Sequence, residues 1–589
     1  MPALVAAAVL LLALALAPSA QASFPATSTG RDGAAATVDR LATKAAIDTL
    51  RRGGNATDAA VTAAAVLGVT EPFSCGIGGG GFMVSYDAGR HAVTTLDHRE
   101  RAPRAMTPES FFENGAPLAF DDARFSGLSV GVPGTVRGWE RALRLHGTIT
   151  LAQALAPAIR VAQQGFVVDA TFASQIQDNV DRFDDIPATA ALYLDPDGTP
   201  KDVGTVFRNP DLARTYRLIA RKGSRGFYRG PLAQAIMRTV RNPPAGPASN
   251  HTYRPGVMDA ADLRAYTAPE RAPVQTTYRG LNVFGMGPPS SGGSTIAEAL
   301  NILEGYTLKG MARADALHLE LEASRLAFAD RGAFVADPDF VSVPLRGLIS
   351  KQFAATRRAL IGDRAAASPV APGDPLPFNG GATAAGQASV TSARAGSTTH
   401  ITVADRAGDV VAYTFTIEST GGSALVVPGY GFLLNNELTD FNFDSTTHPN
   451  RVQGGKRPRS SISPTIVLRG RRPLFSVGSP GGSTIISTVL GLLVDHIDLG
   501  STLPQAIAAP RVSERNTPSA AAEPAFISSP EAAALGGLGH LFTPMTEIGA
   551  ATGVEFLGNQ RFQAAAEPVR RGGGSALVAR PEPPRRSQP

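Results

Sequence analysis

At Gly396-Ser397-Thr398-Thr399-His400 a threonine stands at the first position of an expected strand, directly after a loop. If the Ser397–Thr398 bond is cut, Thr398 carries a free α-amino group beside its hydroxyl. Such an amine titrates at about 7.7–8 and accepts a proton near neutral pH. Nucleophile and base then belong to one residue. The competing reading of these residues is cross-strand packing. His400 shares the strand face of Thr398. Since the amine already supplies a base, a structural role is expected for the imidazole.

A second feature has the same chemistry in view. Gly478-Ser479-Pro480-Gly481-Gly482-Ser483 joins a strand to a helix. Glycines there let backbone N–H groups point at a bound group, and the helix start adds positive potential. An oxyanion or a phosphate suits such a turn, and so does a tight connection with no ligand. No G-x-x-x-x-G-K-[ST] occurs, and Gly78–Gly81 precedes a strand instead of opening a helix, so the nucleotide-binding motifs fail.

Composition narrows the remainder. Cys75 is the only cysteine of 589 residues, which excludes an intrachain disulfide and a cysteine-built zinc or iron–sulfur site. It reads as a buried free thiol. A net charge of +5, spread without a stripe, argues against nucleic acid binding. At 43% hydrophobic residues the chain is not disordered.

The elements that must position these groups are mixed α and β. Residues 40–67 are helix-rich, with Asn55 and Asp58 spaced as a capping box. Residues 82–86 and 92–96 read as paired strands, and helical patterns dominate 139–360. Residues 398–404 and 410–417 alternate faces around a turn at 405–409, a β-hairpin. Strands at 465–468 and 474–477 precede a helix over 483–494. The Ala-, Gly- and Pro-rich stretch 364–397 reads as a flexible linker. Residues 1–22 read as a secretory signal: an apolar run over 4–17, Pro18, then Ala20-Gln21-Ala22. Export would place the protein outside the cell or in the periplasm; an uncleaved anchor is the alternative.

With these residues in place, the chain resembles the γ-glutamyltranspeptidases, members of the N-terminal-nucleophile hydrolases. The carriers are RRGGNATDAAVTAAAVLGVTEPFSCGIGGGGFM, DHRERAP, PPSSGGSTIAEALNILEGY, LAFADRGAFVADPDF, the TTH junction, LLNNELTDFN, KRPRSSISPTIV and GSPGGS. They span nearly all of the chain after the signal.

The resemblance implies an α+β fold, an αββα sandwich, and autocatalytic cleavage between Ser397 and Thr398. A large subunit, 23–397, and a small subunit, 398–589, would stay associated as a heterodimer with one core. No metal or organic cofactor is implied. Thr398 matches the nucleophile and Thr416 the threonine that helps activate it. Gly481 and Gly482 match the oxyanion-hole donors. Arg99 matches the arginine that grips the α-carboxylate of the γ-glutamyl group, with Ser460 and Ser461 sharing it. Glu418, Glu437 and Asp440 match positions around the substrate α-amino group; some relatives carry Asn or Gln at the first two. A zwitterionic head needs a guanidinium for its carboxylate and acids for its ammonium. Glutathione and related amides would be donors, and water, amino acids or peptides acceptors.

One departure stands out. Residues 441–455, FNFDSTTHPNRVQGG, are short where many bacterial relatives carry a lid with an aromatic residue. With no Tyr or Trp, this stretch reads as lidless. An open pocket would admit poly-γ-glutamate, or suit an acylase acting on a glutaryl or cephalosporin-like side chain. Asp440 and Glu437 favour a substrate ammonium, which glutaryl lacks. An inactive secreted homologue that only binds γ-glutamyl compounds is the reading of another class.

Overall fold

The computed structural model describes residues 25–380 and 396–582. The expected signal, 1–22, and the end of the expected linker lie outside the described residues.

Thirteen strands form one connected network. In chain order they are β1 (Thr27–Thr37), β2 (Gly80–Asp87), β3 (Ala92–Asp97), β4 (Glu270–Arg271), β5 (Val274–Tyr278), β6 (Leu281–Gly285), β7 (Thr399–Asp405), β8 (Val410–Thr416), β9 (Thr465–Arg469), β10 (Arg472–Gly478), β11 (Thr552–Gly558), β12 (Arg561–Ala566) and β13 (Ser575–Pro581). One edge of β1 pairs with β12 near its start and with β7 further along; the other pairs with β13 along its length. The network therefore folds at β1 into two layers. One runs β4-β3-β2-β8-β7-β1-β13 and the other continues β12-β11-β10-β9-β6-β5. Strands β7 and β8 pack face to face against β10 and β11.

Helices cover both outer faces. α1 (Arg40–Arg51) and α2 (Ala56–Thr70) share a core with Ile401, Val403, Val411 and Tyr413. α3 (Gly292–Leu303), α4 (Arg313–Phe334) and α5 (Thr484–Ile497) share another with Val467, Phe475 and Val477. The αββα sandwich expected above is what the chain forms. Each fully buried Val, Ile or Phe adds about 1.5–3 kcal/mol.

Local sequence explains the elements near the junction. The Asn55–Asp58 capping box starts α2, whose residues are buried all round, as suits a central helix. The helix stops at Glu71-Pro72, because the residue before a proline avoids the α region. The β7–β8 turn is closed by Asp405, whose Oδ1 accepts from the N–H groups of Ala407 (2.9 Å) and Asp409 (3.1 Å). Its other oxygen accepts from Ala56 N–H at 2.9 Å, which ties the hairpin to the start of α2.

Two expectations differ. The region 139–360 also contains β4, β5 and β6, whose burial alternates over Val274–Tyr278 and Leu281–Gly285. The expected linker is anchored over 364–380. Val370 exchanges two backbone–side-chain hydrogen bonds with Asn516 (2.7 and 3.0 Å), and the Ala371 carbonyl accepts from Arg357 at 3.0 Å. Low periodicity there reflects extended chain pinned by individual polar contacts.

Candidate active site

Thr398 immediately precedes β7 and is buried. Its hydroxyl donates to Thr416 Oγ1 at 3.2 Å. Thr416 ends β8, the strand paired with β7, and donates its own hydroxyl to the Ser397 carbonyl at 2.5 Å. The N–H of Glu418 donates to Thr416 Oγ1 at 2.8 Å. Thr416 therefore connects the hydroxyl of Thr398 to the carbonyl that precedes it. Glu418 sits at φ 80°, in the left-handed region, at a cost of order 1–3 kcal/mol. Its carboxylate accepts from the Ser419 hydroxyl and the Asn436 amide, and burial raises its pKa.

The glycine turn lies across from Thr398. β10 ends at Gly478, Gly481 and Gly482 have φ 132° and 57°, and α5 begins at Thr484. A Cβ on Gly481 would lie 2.5 Å from Thr484 Oγ1, so this turn requires glycine. Gly396, just ahead of the junction, rests on Gly482: a Cβ on Gly396 would lie 2.9 Å from Gly482 Cα.

A cavity of about 250 Å³ opens beside these groups. Thr398, Thr416, Glu418, Gly482, Arg99, Glu437, Asp440, Ser460 and Ser461 all line it. The catalytic and substrate-binding residues named from the sequence are thus brought together, with Gly481 and Ser397 adjoining the lining. Arg99 is not a surface charge. It is buried, and donates to Glu437 through Nη1, to Asp440 through Nη2, and to the Pro458 and Arg459 carbonyls (3.3 and 3.2 Å). The side chains of Arg99 and Glu437 are 1% exposed, whereas that of Asp440 is 34% exposed, so Asp440 presents the negative charge to the cavity. Ser460 Oγ accepts from Ile462 N–H at 3.1 Å, which leaves its hydrogen free to donate.

Three contributors had no role read from the sequence. Arg331 on α4 donates to Ser461 Oγ (2.8 Å) and to Ser291 Oγ (2.7 Å), tying the cavity floor to α3 and α4. Arg459 lines the cavity and donates to the carbonyls of Arg331, Gly332 and Val335. Glu100 is buried beside Arg99. Burial pushes the Glu100 and Glu437 carboxyls up, while Arg99 pulls both down. The motifs holding Arg331 and Glu100 were visible; the bond from Arg331 to Ser461 joins residues 130 positions apart.

Phe441, Phe443, Pro117, Leu118 and Phe120 also line the cavity, beside Asn442 and Asp444; Leu118 and Phe120 follow the small hairpin Phe112–Glu113/Ala116–Pro117. Phe443 packs on Phe111 with ring centroids 5.2 Å apart. The segment expected to be lidless thus supplies two aromatic walls of its own, built from Phe.

His400 lies between the two sheets. Its ring nitrogens meet Thr414 Oγ1 (2.6 Å) and Thr402 Oγ1 (3.0 Å), and burial lowers its pKa to about 3. A neutral, fully partnered imidazole is a packing group, as expected. Cys75 is buried, and burial pushes its thiol up, away from the reactive thiolate.

Residues 42–577 match the family described as gamma-glutamyltranspeptidase. The glutathione hydrolase proenzyme of Bacillus subtilis (strain 168) is 39% identical over 528 residues, 88% of this chain and 87% of that one. The acylase ACY 1 proenzyme of Pseudomonas sp. (strain V22) is 37% identical over 497 residues, 82% of this chain and 83% of that one. The crystal structure of cephalosporin acylase from Bacillus halodurans superimposes with a TM-score of 0.82 at 27% identity, covering 96% of this chain and 99% of that one.

Proposed function

The chain belongs to the γ-glutamyltranspeptidase family, and from that premise we propose that it is cut between Ser397 and Thr398 and that the freed Thr398 is its nucleophile. Its activity is that of a glutathione hydrolase and γ-glutamyltransferase. The observation that carries the assignment to Thr398 is the hydrogen-bond chain from its hydroxyl through Thr416 to the Ser397 carbonyl.

In turnover, Thr398 Oγ1 attacks the γ-carbonyl of the donor and passes its proton to its own α-amine. The carbonyl electron pair moves onto oxygen, and the oxyanion rests on the N–H groups of Gly481 and Gly482. Collapse breaks the amide bond; cysteinylglycine leaves with the proton, and an acyl-Thr398 ester remains. Water then releases glutamate, or an amino acid or peptide takes the γ-glutamyl group, and Thr398 recovers its proton. The donor carboxylate is assigned to Arg99, Ser460 and Ser461, and its ammonium to Asp440, Glu437 and Glu418. Holding both ends turns binding into orientation.

The sheet explains how residues 25–397 and 398–582 would remain one body after a cut. β1 lies between β7 and β12 on one side and β13 on the other, β2 pairs with β8, and β6 pairs with β9. Separation would break all these ladders. Export by residues 1–22 to the periplasm or the exterior is part of the same reading.

A denaturing gel tests it. The purified chain should give two fragments, the smaller beginning at Thr398, and should hydrolyse a chromogenic γ-glutamyl anilide. Thr398→Ala should abolish both; an intact chain without hydrolysis would refute the mechanism. A second reading, an acylase for glutaryl-type side chains, draws on Leu118, Phe120, Phe441 and Phe443 in the cavity lining. Comparison of γ-glutamyl with glutaryl donors separates the two.

A further inference from the structure

The geometry points to Arg571 as a positioning residue that fixes the junction from its Thr398 side, an inference that rests on Thr398 being the nucleophile. Arg571 lies in the turn Arg570–Gly572 before β13, far from Thr398 in sequence and outside the cavity lining. Its guanidinium donates through Nη1 to the Thr398 carbonyl at 2.7 Å. Through Nη2 it donates to Glu71 Oε2 at 2.7 Å and to Ser74 Oγ at 2.5 Å. Ser74 Oγ in turn accepts from the Ser397 hydroxyl at 2.8 Å. One cluster of Arg571, Glu71 and Ser74 thus touches both residues of the Ser397–Thr398 bond.

The backbone is bent to achieve this. Arg571 sits at φ 56°, in the left-handed region that non-glycine residues avoid, and its N–H is held by Glu547 at 3.0 Å. Glu71 is placed by α2, whose end it caps through its N–H to the Leu67 carbonyl at 2.7 Å. The cluster therefore joins two separate parts of the chain to the junction and is mostly buried, with side-chain exposures of 15% and 14% for Arg571 and Glu71.

Fixing the Thr398 carbonyl fixes the rotation of that residue, and with it the direction of its hydroxyl. Before cleavage this aims Oγ1 at the preceding carbonyl. After cleavage Thr398 is a chain end attached through one bond to β7, and the Arg571 contact joins the Thr416 bond in keeping amine and hydroxyl from swinging. A charge-assisted bond of this kind, once lost, corresponds to roughly a tenfold to hundredfold change in rate.

The test follows fragment appearance with time for Arg571→Gln, Arg571→Lys and Ser74→Ala in the full chain. Kinetics on a γ-glutamyl anilide and thermal melting accompany it. Arg571→Gln should slow cleavage at least about tenfold and lower kcat of the matured fraction comparably. KM should stay near the unsubstituted value, because Arg571 does not line the cavity. Arg571→Lys should recover part of both rates. Ser74→Ala should slow cleavage more than turnover, since Ser397 departs with the cut. Normal cleavage and kcat in Arg571→Gln, or a loss that follows melting temperature alone across the three variants, would overturn the proposal. Should the unsubstituted chain neither cut nor hydrolyse, the reading of Thr398 as nucleophile fails instead.

Discussion

Thr416 Oγ1 accepts from the Thr398 hydroxyl at 3.2 Å and donates to the Ser397 carbonyl at 2.5 Å, so one hydroxyl serves both partners of the bond proposed to be cut. The strand register makes this possible. With Thr399 opposite Phe415, the residue ending β8 comes to lie against the residue preceding β7. Removing the hydroxyl removes orientation and polarisation together. Thr416→Ala should slow fragment formation by about 10²–10³, whereas Thr416→Ser should retain most of it. A timed denaturing gel of the two variants measures this.

Gly481 at φ 132° leaves no room for a side chain, because Thr484 Oγ1 would lie 2.5 Å from its Cβ. Gly481→Ala should displace the turn and its N–H. The expected loss in kcat is on the order of 10²-fold, with destabilisation of about 1–3 kcal/mol. Steady-state kinetics together with urea unfolding would separate the two effects.

Asp440 exposes a third of its side chain to the cavity while Glu437 is sealed against Arg99. Asp440→Asn should raise KM for a γ-glutamyl anilide by about tenfold or more, as a charge-assisted bond to the ammonium is lost. A glutaryl anilide has no ammonium, so its KM should be unaffected. Equal changes for both donors would contradict the assignment of Asp440 to the amino group.

Burial holds His98 down to about 4 and His400 down to about 3. Their unfolded values lie near about 6.5. Between the two values the unfolded chain binds more protons, so stability is full above about pH 6.5 and falls as pH falls toward the folded values. Each group adds a slope of up to about 1.4 kcal/mol per pH unit. From pH 6.5 to pH 5 His400 alone should account for about 2 kcal/mol. His400→Gln should flatten the dependence of the urea midpoint on pH over this range by that amount. The pH dependence of turnover should instead follow an amine near about 7.7–8.

What was legible in the sequence was local. The β7–β8 hairpin, the strand–glycine–helix turn and the Asn55 capping box carry their signals within a few residues, and the structure places them as read. The motif resemblance then collected Arg99, Asp440 and Ser460, which now line one cavity. β1 was not legible: TSTGRDGAAAT has hardly a β-branched run, and it is a strand because it is paired on both edges. The Arg99–Glu437–Asp440 cluster and the Arg331–Ser461 bond join positions more than a hundred residues apart, and no spacing rule encodes them. The place of Phe441 and Phe443 in the cavity lining was missed because only Tyr and Trp were sought there.

The contact of Gly396 with Gly482 has a bearing on how the uncut chain behaves. The residues ahead of Thr398 lie over the same glycine backbone that would receive an oxyanion from an external donor, and they are tethered there. A tethered segment competes at a local concentration that no free donor matches. On the proposed function, the uncut chain would therefore act as its own stoichiometric inhibitor, silent until the one peptide bond that both ties the segment down and masks the amine is broken. Activity in any preparation should then count cut molecules one for one, and donor added in excess should not rescue the uncut remainder.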